Sequence, residues 1–273
     1  MKMRVITAVV AIAAFIPFLF VLPTWCMGVL LGLLCAVGAW EMLYETKSVG
    51  KHLFLYLSCL TAFAVPNLMS RTDTDLFWFL LVAAVYMFLA FSCAVFDHEK
   101  VTFAAVAKGF MSALIMPLMF SSVLRILNAE NGRLLVLIPW ITVWICDSFA
   151  LFTGMACGKH KLAPYVSPKK TIEGAIGGTL AAVVAMGLYV LVMDRGFDFY
   201  LELIPMLVFG LLGAIVGQIG DLSLSVIKRE VGIKDYGKLF PGHGGVWDRF
   251  DSILFAAPLF ELLYLHILPA IGG

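Results

Sequence analysis

Residues 203–230 read LIPMLVFGLLGAIVGQIGDLSLSVIKRE. From Leu203 to Gly220 no side chain is charged, and a helix needs about 20 such residues to cross the hydrocarbon core of a bilayer. The run then meets Asp221 and ends on Lys228 and Arg229. That is the pattern of a membrane-spanning helix with a basic end at the interface. Working outward, apolar runs bounded by charges or turn residues recur at 5–22, 24–43, 53–69, 75–96, 103–124, 134–156, 172–193 and 250–271, predicting nine spans with 203–227. The expected fold is an all-α, polytopic integral membrane helical bundle.

Composition excludes the alternatives. Of 273 residues, 62% are drawn from AVILMFWYC and 14% are charged, against about 25% charged in a soluble domain. Such a chain cannot clothe itself in polar side chains, so a water-soluble globule, a disordered tail and a nucleic-acid-binding module are ruled out together. The six cysteines show no CxxC or CxxH spacing, which points to packing and away from a zinc site or disulfides. Met1-Lys2-Met3-Arg4 followed by an apolar run resembles a secretory signal. The run is long for one and further spans follow at once, so it reads as an uncleaved first helix.

With the N-terminus in the cytoplasm, 15 of the 19 Lys and Arg fall on that side, leaving only Arg71, Arg125, Arg133 and Arg195 opposite. This bias orients the chain by the positive-inside rule, in a cell (inner) membrane. Residues 1–130 read as scaffold helices. Residues 131–273 read as the catalytic region, with cytoplasmic loops 157–171 and 228–249. No period of 20–50 residues marks a repeat-built transporter.

Carboxylates inside spans cost at least ~2.5 kcal/mol each on insertion scales and line a polar cavity or find a partner. Asp221 lies about seven residues from the inner end of its span, roughly 10 Å deep at 1.5 Å per residue, and Asp147 is slightly deeper. Asp248 and Asp251 open the last helix, one helical turn apart. Four carboxylates can therefore converge beneath two basic loops. Hard oxygen ligands of this kind suit Mg²⁺ or Mn²⁺, one cation or two, bridging a polyphosphate. The alternative is structural pairing, Asp221 with Lys228 for instance. For Glu261 and His266 structural pairing is the better account. Glu41 either faces the same cavity or is a solvated helix end.

Gly210, Gly213, Gly217 and Gly220 form a smooth stripe ending at Asp221, a pattern that lets helices approach closely. In 225–251 the glycines free backbone N–H groups to meet anionic oxygens, and Lys228, Arg229, Lys234, Lys238 and Arg249 supply charge. Gly232 to Lys238 fits G-x-x-x-x-G-K, but Leu239 replaces the Ser or Thr of a P-loop and no strand precedes it. His243, flanked by glycines, is a candidate for a substrate or catalytic role, with a structural hydrogen bond as the alternative.

The run from Ser225 to Asp251, S-x-x-K-R-x4-K-D-x-G-x2-F-P-x-H-G-G-V-x-D-R-F-D, resembles the signature of the phosphatidate cytidylyltransferases, or CDP-diacylglycerol synthases, at every specified position. Asp147-Ser148 through Gly154 and Ser167 to Gly174 resemble a second block of that family, and Trp40-Glu41 a weaker one. The resemblance implies a multi-pass membrane enzyme, able to form a homodimer, that converts CTP and phosphatidic acid to CDP-diacylglycerol and pyrophosphate with Mg²⁺. On this reading Asp221, Asp248, Asp147 and Asp251 hold metal. Asp221, Asp248, Lys228, Arg229 and His243 serve catalysis. Ser167, Lys169, Lys170, Thr171, Ser225, Lys234, Lys238 and Arg249 bind substrate. A transporter with buried carboxylates is the rival from another class, and does not account for glycine and cations crowded into one loop. A CDP-alcohol phosphotransferase is excluded by the absence of its DGxxAR…GxxxDxxxD pattern.

Overall fold

A computed structural model describes residues 17, 19–70, 75–197, 199–240 and 244–269. Among these, seven helices are long and apolar enough to span a membrane. They are α1 (Thr24–Glu45), α3 (Leu76–Phe96), α4 (Phe103–Asn128), α5 (Gly132–Cys157), α6 (Ile172–Phe197), α7 (Leu203–Glu230) and α8 (Trp247–Ile267), with a shorter apolar helix α2 (Leu53–Leu68) between the first two. Eight of the nine expected spans thus coincide with helices. The expected span 5–22 lies outside the described residues except for 17 and 19–22. An antiparallel hairpin, β1 (Lys161–Ala163) and β2 (Ser167–Thr171), is the strand element among them.

The chain divides into two compact units, Met1–Arg133 with Val231–Phe250, and Leu134–Glu230 with Asp251–Gly273. In the first, α2 starts where the His52 Nδ1 accepts from Phe54 N–H (3.2 Å), and α4 where Thr102 Oγ1 accepts from Ala105 N–H (3.2 Å). These side chains satisfy N–H groups that a helix cannot satisfy itself. Ser58 donates to Phe54 O (2.8 Å) and pairs with the Tyr86 hydroxyl (2.8 Å), joining α2 to α3. α3 is the most apolar of the seven and the least buried within the protein. Its Leu76, Phe77, Phe88 and Phe96 are exposed, a surface that acyl chains solvate and water does not.

In the second unit the glycine stripe is a packing surface. A Cβ on Gly210 would lie 3.0 Å from Val183 Cα of α6, one on Gly217 3.1 Å from Val143 of α5, and one on Gly220 2.7 Å from Asp251 O of α8. One α7 face therefore packs closely on three helices, meeting backbone in α6 and α8 and a side chain in α5. Gly178 does the same for α6, its Cβ position falling 2.5 Å from Cys146 O. Small residues are how helices gain contact area where lipid offers as good an apolar environment as leucine.

The sequence places residues 157–171 in a connecting loop, and the structure folds part of it into the hairpin. Glu173, at the start of α6, accepts from Lys159 N–H (3.1 Å), His160 N–H (3.2 Å) and the His160 ring (2.7 Å, Nδ1), closing the hairpin base. Arg229 Nε, at the end of α7, donates to Val166 O at the hairpin tip (3.0 Å).

Candidate active site

The second unit gathers most of the acidic and basic candidates. Successive strand residues point to opposite faces, so in β2 Lys169 is exposed while Lys170 turns inward and pairs with Asp221 Oδ2 on α7. Ser225, one turn on, donates to Asp221 Oδ1 (3.4 Å). The Asp221 carboxylate is also hydrogen-bonded to Asp251 of α8 and interacts electrostatically with Lys228. Asp251 is in electrostatic range of Asp147 on α5. Lys228 is buried, and Arg229 is exposed and committed in part to the hairpin tip. Thr171 caps α6, its Oγ1 accepting from Gly174 N–H (3.1 Å), and Ser167 is half-buried at the other end of β2.

The sequence offered Lys228 as an example of a structural partner for Asp221. Lys170 pairs with it as well, because the hairpin brings β2 back over α7, while Lys228 interacts with the same carboxylate electrostatically. Glu261 and His266 pair with each other at 3.8 Å, and all six cysteines are free thiols.

The first unit holds the signature loop. Asp248 is buried, and its Oδ2 accepts from Tyr236 N–H (2.7 Å) and Gly245 N–H (2.9 Å). The second of these is the reach-back of a first-turn carboxylate to the residue three before it, as in a capping box. Gly244 has φ +87°, and a Cβ there would lie 2.7 Å from Asp248 Oδ2, so only glycine both adopts the conformation and leaves room for the carboxylate. Phe240 N–H donates to Gly244 O (2.9 Å). Lys234, Lys238 and Arg249 are exposed. His243 lies outside the described residues.

Glu41 is the residue whose place the sequence left open. It is 3% exposed, and its carboxylate accepts from Val246 N–H at 2.8 Å and 3.0 Å. The signal that existed for it was the Trp40-Glu41 dipeptide; nothing in its spacing points to a loop some two hundred residues away.

Among the described residues no three Asp, Glu, His or Cys close on one point as a ready-made metal cage. The donor chemistry nevertheless fits a hard divalent cation. Two carboxyl groups in hydrogen-bond contact, with a third in electrostatic range, repel when all are ionised, and either a shared proton or a cation relieves that. Mg²⁺ takes one or two protein carboxylates and completes its shell with water and substrate phosphate.

Carboxylates grouped on membrane-spanning helices, a basic hairpin and a glycine-rich cationic loop define the class. The chain belongs to the cytidylyltransferase family, whose profile matches residues 2–267. Proteins named phosphatidate cytidylyltransferase are similar over their full length. One from Staphylococcus saprophyticus is 32% identical over 273 residues, covering 98% of this chain and 100% of that one. One from Bacillus subtilis is 32% identical over 267 residues, covering 96% and 97%. One from Haemophilus influenzae is 31% identical over 301 residues, covering 98% and 100%.

Proposed function

We propose that the chain is a CTP:phosphatidate cytidylyltransferase, transferring CMP from CTP to phosphatidic acid to give CDP-diacylglycerol and pyrophosphate in phospholipid biosynthesis. The observation that carries the reading is the full-length correspondence with proteins of that name. The geometry is compatible with it, since one substrate is a bilayer lipid and the other a water-borne triphosphate.

In this reading a phosphatidate phosphate oxygen attacks the α-phosphorus of CTP in line. The new P–O bond forms as the bond to the β-phosphate oxygen breaks, and pyrophosphate leaves. A phosphate monoester is already largely ionised near neutral pH, its second pKa being near 6, so no strong general base is needed and positioning with charge neutralisation dominates. Asp221, Asp251, Asp147 and Asp248 are the residues that would hold Mg²⁺ or Mn²⁺, one cation or two, which when bound neutralises triphosphate charge. Lys170 orients the Asp221 carboxylate and, with Ser167, Lys169 and Thr171, offers phosphate contacts at the mouth of α6. Ser225 steadies Asp221. Lys228, Arg229, Lys234, Lys238 and Arg249 hold the triphosphate and the departing pyrophosphate, and His243 contacts substrate.

The finer topology belongs to the same proposal: nine spans, a cytoplasmic N-terminus, an active site facing the cytoplasm of a bacterial inner membrane, and a homodimer. The test is pyrophosphate release by the purified protein from CTP. Release should require both phosphatidic acid and Mg²⁺ and be matched by labelled CDP-diacylglycerol. Release without lipid, or none with all three present, would overturn the reading.

A further inference from the structure

We propose that Glu41 is a positioning residue for the reaction: a buried carboxylate on α1 that fixes the backbone from which Asp248 and the loop cations are presented. The inference rests on the cytidylyltransferase reading, which gives the loop its chemical duty. The anchoring of the loop stands on geometry alone.

α1 passes from α-helix into a π-helical turn at Glu41–Glu45, a local widening often found at functional positions. Glu41 opens that turn. Both of its oxygens face Val246 N–H. Asp248 Oδ2 takes the N–H groups of Tyr236 and Gly245. Three loop amides, at 236, 245 and 246, thus end on two carboxylates. Phe240 pairs with Gly244 as an isolated bridge among the segment's described residues.

The surroundings are shaped to the same contact. A Cβ on either Gly237 or Gly245 would overlap the Glu41 carboxylate. Gly38, one turn before Glu41 and so on the same helix face, lies against the fully buried Trp247 indole, which a Cβ there would also overlap. The end of α1 is a seat with a bare patch for the ring and a carboxylate for the Val246 amide. A buried carboxylate is tolerated when such donors replace its water. The carboxylate makes no contact with the reaction in this scheme. It acts through residues 245–248, so displacing it should loosen the loop's hold on CTP and leave the phosphatidate interaction unchanged.

The test compares full-length protein in nanodiscs with Glu41→Gln, Glu41→Asp and Gly237→Ala. Glutamine places an N–H donor where the Val246 amide needs an acceptor, aspartate keeps the charge with a shorter reach, and the alanine methyl pushes the carboxylate from the loop side. Two readouts are used: hydrogen–deuterium exchange across residues 236–250, which needs no activity, and KM for CTP and for phosphatidate with kcat. The expected result for Glu41→Gln is exchange at 245–248 and CTP KM each rising roughly tenfold, the loss of about one hydrogen bond to a charged group. Phosphatidate KM should stay unchanged, Glu41→Asp should recover part of the loss, and Gly237→Ala should move both readouts in the same direction. Unchanged exchange at 245–248, or activity lost in proportion to folded protein with CTP KM constant, overturns the inference. If Glu41→Gln does not insert, Gly237→Ala and Glu41→Asp decide it by the same outcomes. An inactive parent would sink the enzymatic reading, while the exchange data still judge the anchoring.

Discussion

The ammonium of Lys170 pairs with the Asp221 carboxylate, tying the second strand of the hairpin to α7. A short basic segment and a carboxylate fifty residues further along the chain thereby become one unit. Removing one partner of a buried ion pair costs more than the pair is worth, because the remaining charge stays desolvated.

Asp221→Asn should therefore abolish turnover in a protein that still inserts and folds. Lys170→Ala should lower activity at least about tenfold and destabilise the fold by about 1–3 kcal/mol, below the fully buried case, because the two side chains are 26% and 25% exposed. Lys170→Arg should retain the pair and most of the stability. The checks are pyrophosphate release at saturating Mg²⁺ and the thermal unfolding midpoint in detergent. Near-normal activity of Asp221→Asn would remove Asp221 from the cation site.

Gly220→Ala places a methyl 2.7 Å from Asp251 O, a backbone atom with no side-chain freedom to yield. The expected outcome is that α7 and α8 move apart, separating the Asp221 and Asp251 carboxylates. Stability should fall by about 1–3 kcal/mol, the usual cost of overpacking, and the Mg²⁺ concentration for half-maximal activity should rise. A melting curve and a Mg²⁺ titration measure the two effects separately.

Gly244→Ala combines a left-handed backbone, φ +87°, with a methyl 2.7 Å from Asp248 Oδ2. The conformational cost alone is about 1–2 kcal/mol, and the clash turns Asp248 away from the Tyr236 and Gly245 amides. Activity should drop by an order of magnitude or more while the midpoint of the helical transition moves little, because the strain is confined to a loop. Faster proteolysis at 236–246 is the accompanying sign.

Outside the spans, the Lys100 ammonium beside Asp97 holds that carboxyl below its ordinary value of 3.8, with His52 adding to the effect. A depressed carboxylate pKa contributes stability above its unfolded value, and the contribution is lost as pH falls through the folded one. Lys100→Ala should thus leave thermal stability unchanged from pH 6 to pH 8 apart from a small constant offset. That offset should vanish only under strongly acidic conditions. Midpoints recorded from pH 8 to pH 3 for parent and variant provide the comparison.

The positions of the helices were legible because a bilayer imposes one rule on every crossing: backbone groups must be satisfied within the segment, so an apolar run of sufficient length is a helix wherever it occurs. Eight expected spans met helices on that ground. The candidate acids were legible for a related reason, since charge inside hydrocarbon is costly enough to mark itself. The hairpin was less so, because Lys161 to Thr171 carries no alternation of apolar residues. Its pairing depends on Glu173 gathering the amides at its base.

By itself the sequence determined the apolar lengths, the stranded carboxylates, the glycine stripe and the cationic loop, all consequences of local composition against a fixed solvent. Tertiary structure alone decided which partners they meet. Asp221 meets Lys170 because a strand folds back, and Glu41 meets Val246 across 205 residues of chain. Such pairings are set by how helices pack, and a contact between distant residues leaves no spacing in the chain from which it could be read.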